Sequence, residues 1–513
     1  MASPAADLPN VTVRHKWLLT FSVMAAMLMQ VLDTTIANVA LPHMQASLGA
    51  TQDSISWVLT SYILASAVAI PLTGWLSERF GARMLFIGSV ALFVVASILC
   101  GIATSLPEMV AFRLLQGVGG AFLGPLAQTV MLDINRPSDH PKAMSIYGMG
   151  VMIGPILGPI LGGWLTENYD WRWVFLVNIP IGIACFAGLW LLLPRQATRR
   201  RSFDLAGWSM IALGLSALQL MLDRGPHVDW FGSTEIWVEA GLAVTGLWMF
   251  GVHMMTARRP LFPAGMMQDR NLVTGTLFMF VMGLVMMAAM ALLPPMLQNL
   301  FGYPVLDTGV LLSARGVGVL IAMGIAGRIT TLVDPRLLVG LGFAIMAGSL
   351  WMMTGWSLEM DWRPIVFTGF IQGLGLGLLF VPLNVLSFAT LPGQYRTDAA
   401  SLLNLSRNLG SSVGIAIVTA LLARNLQVSH ADIAATVTPY NLPVDPGMAS
   451  ALGAPGDMAM TALDAMVNRQ AAMIAYLDDF HMMMFVALAA IPLLLLLRKP
   501  ARKADDLLHM AME

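Results

Sequence analysis

Apolar stretches of about 20 residues, the length a helix needs to cross a bilayer, recur along the whole 513-residue chain and are separated by short polar breaks. Fourteen of them can be placed: 17–38, 54–76, 84–104, 107–132, 143–165, 173–193, 204–222, 234–256, 271–293, 307–331, 336–356, 364–388, 398–422 and 481–497. The pattern predicts an all-α polytopic membrane protein. With the N-terminus on the cytoplasmic side, 20 of the 28 lysines and arginines fall in cytoplasmic breaks and tails, 5 fall outside and 3 remain within spans. That asymmetry supports the orientation and the even span count, and puts both termini in the cytoplasm. One connection is long, 423–480. It contains "TPYNLPVDPG" and "GAPGD" followed by a helical stretch, Met458 to Leu477, and reads as an extracytoplasmic segment. It is either a tolerated insertion or a docking surface for a partner outside the membrane.

Composition sharpens this picture. Hydrophobic residues make up 57% and charged residues 11%, against about 25% charged in soluble domains, which excludes an ordinary soluble enzyme. A net charge of −1 provides no basic field for nucleic acid. Cys100 and Cys185 both lie in apolar runs, so neither a disulfide framework nor a metal site is expected. Met1–Lys16 is polar with no small-residue cleavage site after the first apolar run, so no removable signal peptide is expected. No lysine follows a glycine and no glutamate follows a histidine, so phosphate-binding loops and zinc-protease helices are absent and no cofactor is expected.

The halves of the chain repeat. "VALP" at Val39–Pro42 returns as "ALLP" at Ala291–Pro294, and Gly74 and Arg83 return as Gly327 and Arg336. "QGVGG" from Gln116 returns as "QGLGL" from Gln372, and Gly154 and Gly158 return as Gly410 and Gly414, with all offsets between 252 and 256. Two six-helix bundles related by an axis along the membrane normal follow, with two helices inserted between them. The expected organisation is a tail, 1–16; a first bundle, 17–193; the insertion, 204–256; a second bundle, 271–497, that includes the 423–480 segment; and a tail, 498–513. Substrate binding at the midplane between bundles that rock on each other is the transport mode of such repeats.

Charges inside spans mark candidate chemistry, because an arginine at mid-membrane costs about 3 kcal/mol on insertion scales. Arg113 and Gln116 are three apart and share a helix face. Asp33 is the only acid of the first span, with Gln30 nearby. A carboxylate there can load and release a proton as its surroundings change. Asn404, Arg407 and Asn408 share a face, suited to an anionic ligand or to a structural hydrogen-bond network. Arg315 is a further intramembrane cation, and the 39 methionines could line an adaptable apolar cavity. Gly150, Gly154, Gly158 and Gly162 form a stripe at every fourth position, bent by Pro155 and Pro159, where another helix can approach closely.

These motifs also carry a resemblance. "GWLSERFGAR" (Gly74–Arg83) resembles the loop signature after span 2 of the major facilitator superfamily. The resemblance implies a cytoplasmic latch of Gly74, Glu78, Arg79, Gly81 and Arg83, with the loop arginines pairing in one state of the cycle with an acid at the end of span 4, here Asp133. "RLLQGVGGA" (Arg113–Ala121) resembles the span whose arginine is implicated in proton movement, and "GVMIGPILGPILGG" (Gly150–Gly163) the signature of its exporters. "MQVLDTTIANVALP" (Met29–Pro42) resembles the first span of the 14-span drug:proton antiporters, and "MLDRG" with "DWF" resembles the EmrB type within them. The resemblance covers nearly the whole chain. It implies a proton-driven multidrug exporter of the inner membrane with Asp33 and Arg113 as proton-coupling residues. Gln30, Gln116, Gln372, Asn404, Arg407 and Asn408 are the expected substrate-cavity residues. Hydrophobic drug-like substrates, an EmrA-like periplasmic adaptor and a TolC-like outer-membrane channel are the implied partners, with substrate and proton competing for the cavity. Deleting Met458–Leu477 is expected to weaken adaptor capture without unfolding the spans. The rival readings are a symporter, an exporter of one metabolite, and a non-transporting receptor or scaffold. The last has little reason to bear the cost of intramembrane charges.

Overall fold

The computed structural model describes residues 8–196, 198–199, 201–436 and 457–498. "TPYNLPVDPG", most of "GAPGD", the first seven residues and nearly all of the 498–513 tail lie outside the described residues. Among the described residues all regular elements are helical, and 14 helices are long and apolar enough to cross a membrane. They are α1 (Lys16–Leu48), α2 (Trp57–Phe80), α3 (Ala82–Ile102), α4 (Leu106–Asp133), α5 (Pro137–Asn168), α6 (Trp173–Leu192), α7 (Leu205–His227), α8 (Thr234–Thr256), α9 (Arg270–Leu300), α10 (Val305–Ile329), α11 (Pro335–Met353), α12 (Trp362–Ala389), α13 (Gly393–Thr436) and α14 (Leu463–Leu496). Helix starts are capped by short polar side chains: Asp204, Asp269 and Asp361 accept from the backbone amides of Gly207, Leu272 and Arg363.

The repeat in the sequence is a repeat of contacts. Gly154 and Gly158 of α5 face Val31 and Thr35 of α1, and Gly410 and Gly414 of α13 face Phe280 and Leu284 of α9. Gly117 of α4 lies against the Tyr62 carbonyl of α2, and Gly373 of α12 against the Arg315 carbonyl of α10. Gly119 meets Phe93 of α3, and Gly375 meets Met346 of α11. Each glycine stripe thus lets one backbone touch the next at equivalent places, the small-residue packing that replaces the hydrophobic effect between helices in lipid. The stripe of Gly150, Gly154, Gly158 and Gly162 has α1 as its partner throughout. A side chain at Gly158 would collide with Thr35, whereas one at Gly163 would meet open space. Gly158→Val is therefore expected to destabilise the bundle by about 1–3 kcal/mol, and Gly163→Val to leave it unchanged, as read from thermal unfolding in detergent.

The long connection differs from its expected form. The helix that holds α13 runs on to Thr436, 41 residues, or about 60 Å at 1.5 Å per residue, twice the hydrocarbon thickness of about 30 Å. The last helix begins at Asp457 and continues to Ala490. Met458–Leu477 and the last span are therefore one helix. Leu463, Val467, Ala471 and Met473 are buried, so deleting that stretch removes packed helix and the expectation of an intact fold does not hold. Beyond the membrane the two helices pair, with His430 bonded to Asp464 at 3.1 Å.

Candidate functional site

Asp33 is brought to the middle of the first bundle by α1, and the groups that bond it come from α4 and α6. Its Oδ2 accepts from Arg113 Nη1 of α4 at 2.7 Å, and Oδ1 accepts from Gln116 Nε2 and from Asn178 Nδ2 of α6, both at 2.8 Å. Arg113 also donates Nε to the Val58 carbonyl at 2.9 Å and Nη1 to Gln116 Oε1 at 2.7 Å. Ser97 of α3 receives Gln116 Nε2 at 2.7 Å and Asn178 Nδ2 at 3.1 Å. The side chains of Asp33 and Arg113 are 0% exposed. A buried ion pair is tolerable only when its remaining hydrogen-bonding positions are filled, and here the carboxylate is fully served while Arg113 Nη2 has no partner. The guanidinium lies 4.4 Å from the centre of the Tyr62 ring, a cation–π contact.

A cavity of about 280 Å³ lies between the bundles, walled by α1, α2, α4, α5, α9 and α13 and by α7 of the insertion. Met27, Met152, Met286 and Met287 give it flexible apolar walls, and Gln30, Thr34, Ser66, Asn404, Arg407 and Asn408 give it polar points. Such a lining, apolar with few polar anchors, suits amphipathic ligands of varied shape. Of the expected substrate-cavity residues, Gln30, Asn404, Arg407 and Asn408 line this cavity. Gln116 does not: it belongs to the Asp33 cluster, because its helix face turns into the bundle with Arg113. Gln372, its repeat partner, is fully buried in the second bundle, with neither amide atom hydrogen-bonded. Asp33 does not line the cavity either. Tyr62 does, and one ring therefore touches both the cavity and the guanidinium. The Tyr62 hydroxyl and Gln30 Oε1 are buried neighbours that make no hydrogen bond of good geometry among the described residues.

The bonds that join the bundles cluster on the side assigned to the cytoplasm. Arg407 donates to Asn404 at 3.0 Å, Asn404 to Gln128 at 2.9 Å and Gln128 to Asn384 at 2.6 Å, forming a polar floor beneath the cavity. Below it, Asp133 pairs with Arg396 of α13 at 2.8 Å and accepts from Asn10 at 2.9 Å. Arg201, just before the insertion, lies 3.6 Å from Glu78 and 3.4 Å from Asp398. Gly74 sits so close to the Asp398 carboxylate that a side chain there would have to displace it. In this conformation the loop arginines do not reach Asp133: Arg83 donates to the Trp190 carbonyl at 2.5 Å, and Arg79 is exposed. Arg396 reaches Asp133 first because α13 packs across the end of α4. Gly81 keeps its turning role, with φ at 85°.

Several site residues escape the sequence reading. Tyr62, Asn178 and Ser97 join the Asp33 cluster from helices far apart in the chain, and an uncharged residue in an apolar run announces nothing. Asp479 lay outside the expected last span, yet it is fully buried and, among the described residues, neither carboxylate oxygen is hydrogen-bonded. A signal for Tyr62 does exist in the repeat: it corresponds to Arg315, whose guanidinium donates to the Met286 carbonyl at 3.2 Å.

Residues 23–414 match the sequence profile of the Major Facilitator Superfamily. The chain is 34% identical over 427 residues to the multidrug export protein EmrB of Escherichia coli K12, covering 83% of each. It is 36% identical over 424 residues to the fatty acid resistance protein FarB of Neisseria gonorrhoeae, covering 82% of this chain and 84% of that one. In fold it is similar to the human organic anion transporter MFSD10, with a TM-score of 0.59 at 14% identity over 92% of this chain and 99% of that one. The proton:xylose symporter XylE gives a TM-score of 0.59 at 13% identity over 91% and 94%.

Proposed function

The chain belongs to the major facilitator superfamily and is a transporter, not an enzyme, and from that premise we propose that it is a proton-driven multidrug efflux antiporter of the inner membrane. One observation carries the proton coupling: a buried Asp33–Arg113 pair stands one tyrosine ring away from a ligand-sized, methionine-walled cavity. An acid so deep is functional by default. Because Asp33 lies behind the wall, substrate and proton do not compete for the same space. Coupling runs instead through Tyr62, whose ring lies against both the cavity and the Arg113 guanidinium, with Gln30 beside it in the cavity wall. When a proton reaches Asp33, Arg113 loses its counter-charge and its hold on α1, and the cluster rearranges. Substrate in the cavity, pressing on Tyr62, favours the ion-paired arrangement and thereby proton release.

Export of hydrophobic, drug-like compounds follows from the relatives named for multidrug export and from the apolar cavity. In cells lacking their own exporters, the protein is expected to keep ethidium accumulation low, and an uncoupler to abolish that protection. Protection that survives the uncoupler would exclude proton drive.

We place the partners of a tripartite system, an EmrA-like adaptor and a TolC-like channel, on the extracytoplasmic side. The paired extensions of α13 and α14 present Val428 and Met466, each 51% exposed, beyond the membrane. The double substitution Val428→Asp, Met466→Asp is expected to lower adaptor co-purification about tenfold, as for loss of a small interface hot spot, with folding unchanged. Undiminished co-purification would move the docking site elsewhere.

A further inference from the structure

The two inserted helices do different things. Helix α8 packs on α7 and is largely exposed, whereas α7 lies against α2 of the first bundle and α13 of the second. Gly214 of α7 and Gly246 of α8 meet backbone to backbone, and Asp204 bonds His253 at 2.9 Å, so the hairpin is a unit. That unit is fastened to α2 at three depths. Trp75 Nε1 donates to the Arg201 carbonyl at 3.1 Å, Trp208 Nε1 donates to the Val68 carbonyl at 3.1 Å, and the Thr60 hydroxyl donates to the Asp223 carboxylate. Its tie to α13 includes the Arg201–Asp398 pair. Helix α7 thus moves with the first bundle and covers the seam between α2 and α13.

Gln219, two turns inside the end of α7, lines the central cavity although it is only 5% exposed. Among the described residues its carboxamide has no hydrogen-bond partner, and it is open to the cavity. A buried amide without a protein partner is a costly feature unless something that visits the cavity supplies the bond. Gln30 stands in the same cavity from α1. We infer that α7 is a working wall of the transport cavity and that Gln219 is a specificity-determining residue, bonding uncharged polar groups of amphipathic substrates. The inserted hairpin is therefore part of the substrate path. This rests on the central cavity being the substrate site, as proposed above.

The chain suits a thiol test, because its two cysteines, Cys100 and Cys185, are both buried. Single variants Gln219→Cys, Thr34→Cys and Leu213→Cys are reconstituted and labelled with a membrane-impermeant maleimide, with ethidium or laurate as the protecting probe. Thr34 lines the same cavity from α1, and Leu213 is 47% exposed on the outside of α7. Gln219→Cys and Thr34→Cys are expected to label and to be slowed by the same probe, and Leu213→Cys to stay unlabelled. Gln219→Leu is expected to change the ratio of KM values for the two probes by about fivefold, the effect of one neutral hydrogen bond, with kcat and Tm unchanged. Protection of Thr34→Cys without protection of Gln219→Cys, or an unchanged KM ratio, would overturn the role of Gln219. Protection of neither would instead overturn the cavity reading beneath it.

Discussion

Asp33→Asn is expected to collapse substrate accumulation in energised proteoliposomes to equilibrium while leaving substrate binding detectable. Each proton moving through 100 mV supplies about 2.3 kcal/mol, enough for roughly 50-fold accumulation at one-to-one exchange, and the variant forfeits all of it. The asparagine also leaves Arg113 buried without its counter-charge, a loss of about 3–5 kcal/mol for a broken buried pair. Stability and coupling must therefore be separated. The double variant Asp33→Asn, Arg113→Leu removes both charges, and replacing a whole buried pair is close to neutral. It is expected to recover most of the thermal stability and none of the proton-driven transport. Recovery of transport along with stability would reduce the pair to a structural element.

Opening the cytoplasmic side is the second large effect. Asp133–Arg396 and the Arg201 bridge between Glu78 and Asp398 hold α13 against the first bundle, and their side chains are only partly exposed. Arg396→Ala with Arg201→Ala is expected to raise the population open to the cytoplasm about tenfold or more, since each charge-assisted bond contributes about 1.5–3 kcal/mol. Maleimide labelling of Thr129→Cys from the cytoplasmic face reads this directly, because Thr129 is buried beside the latch. An unchanged labelling rate would show that the polar floor of Gln128, Asn384 and Asn404 alone keeps that side shut.

The fold was legible because lipid imposes it: apolar runs of spanning length can only be helices, and near-constant offsets between glycines and charges reveal a doubled bundle. Gly154 and Gly158, matched to Gly410 and Gly414, proved to be equivalent contacts as well as equivalent letters. Asp33 and Arg113 were legible because charge within an apolar run is expensive. Partners without charge were not. Asn178, Ser97 and Tyr62 reach the pair through tertiary packing, and Gln116 and Gln372 could not be assigned to cavity or core from spacing alone. Arg396 as a partner of Asp133 was not legible either, since which arginine reaches that acid in this conformation depends on how α13 crosses α4. The extension of α13, and the continuity of the Met458–Leu477 helix with the last span, were missed because hydropathy reports the span and is silent about a helix that continues into water.

Simultaneous recording of proton and substrate flux in proteoliposomes with an imposed pH gradient tests the central claim most directly. On addition of ethidium or a lipophilic weak acid, the account predicts protons moving opposite to the substrate, and no such flux in Asp33→Asn. Protons moving with the substrate, or counter-flux undiminished in Asp33→Asn, would contradict it.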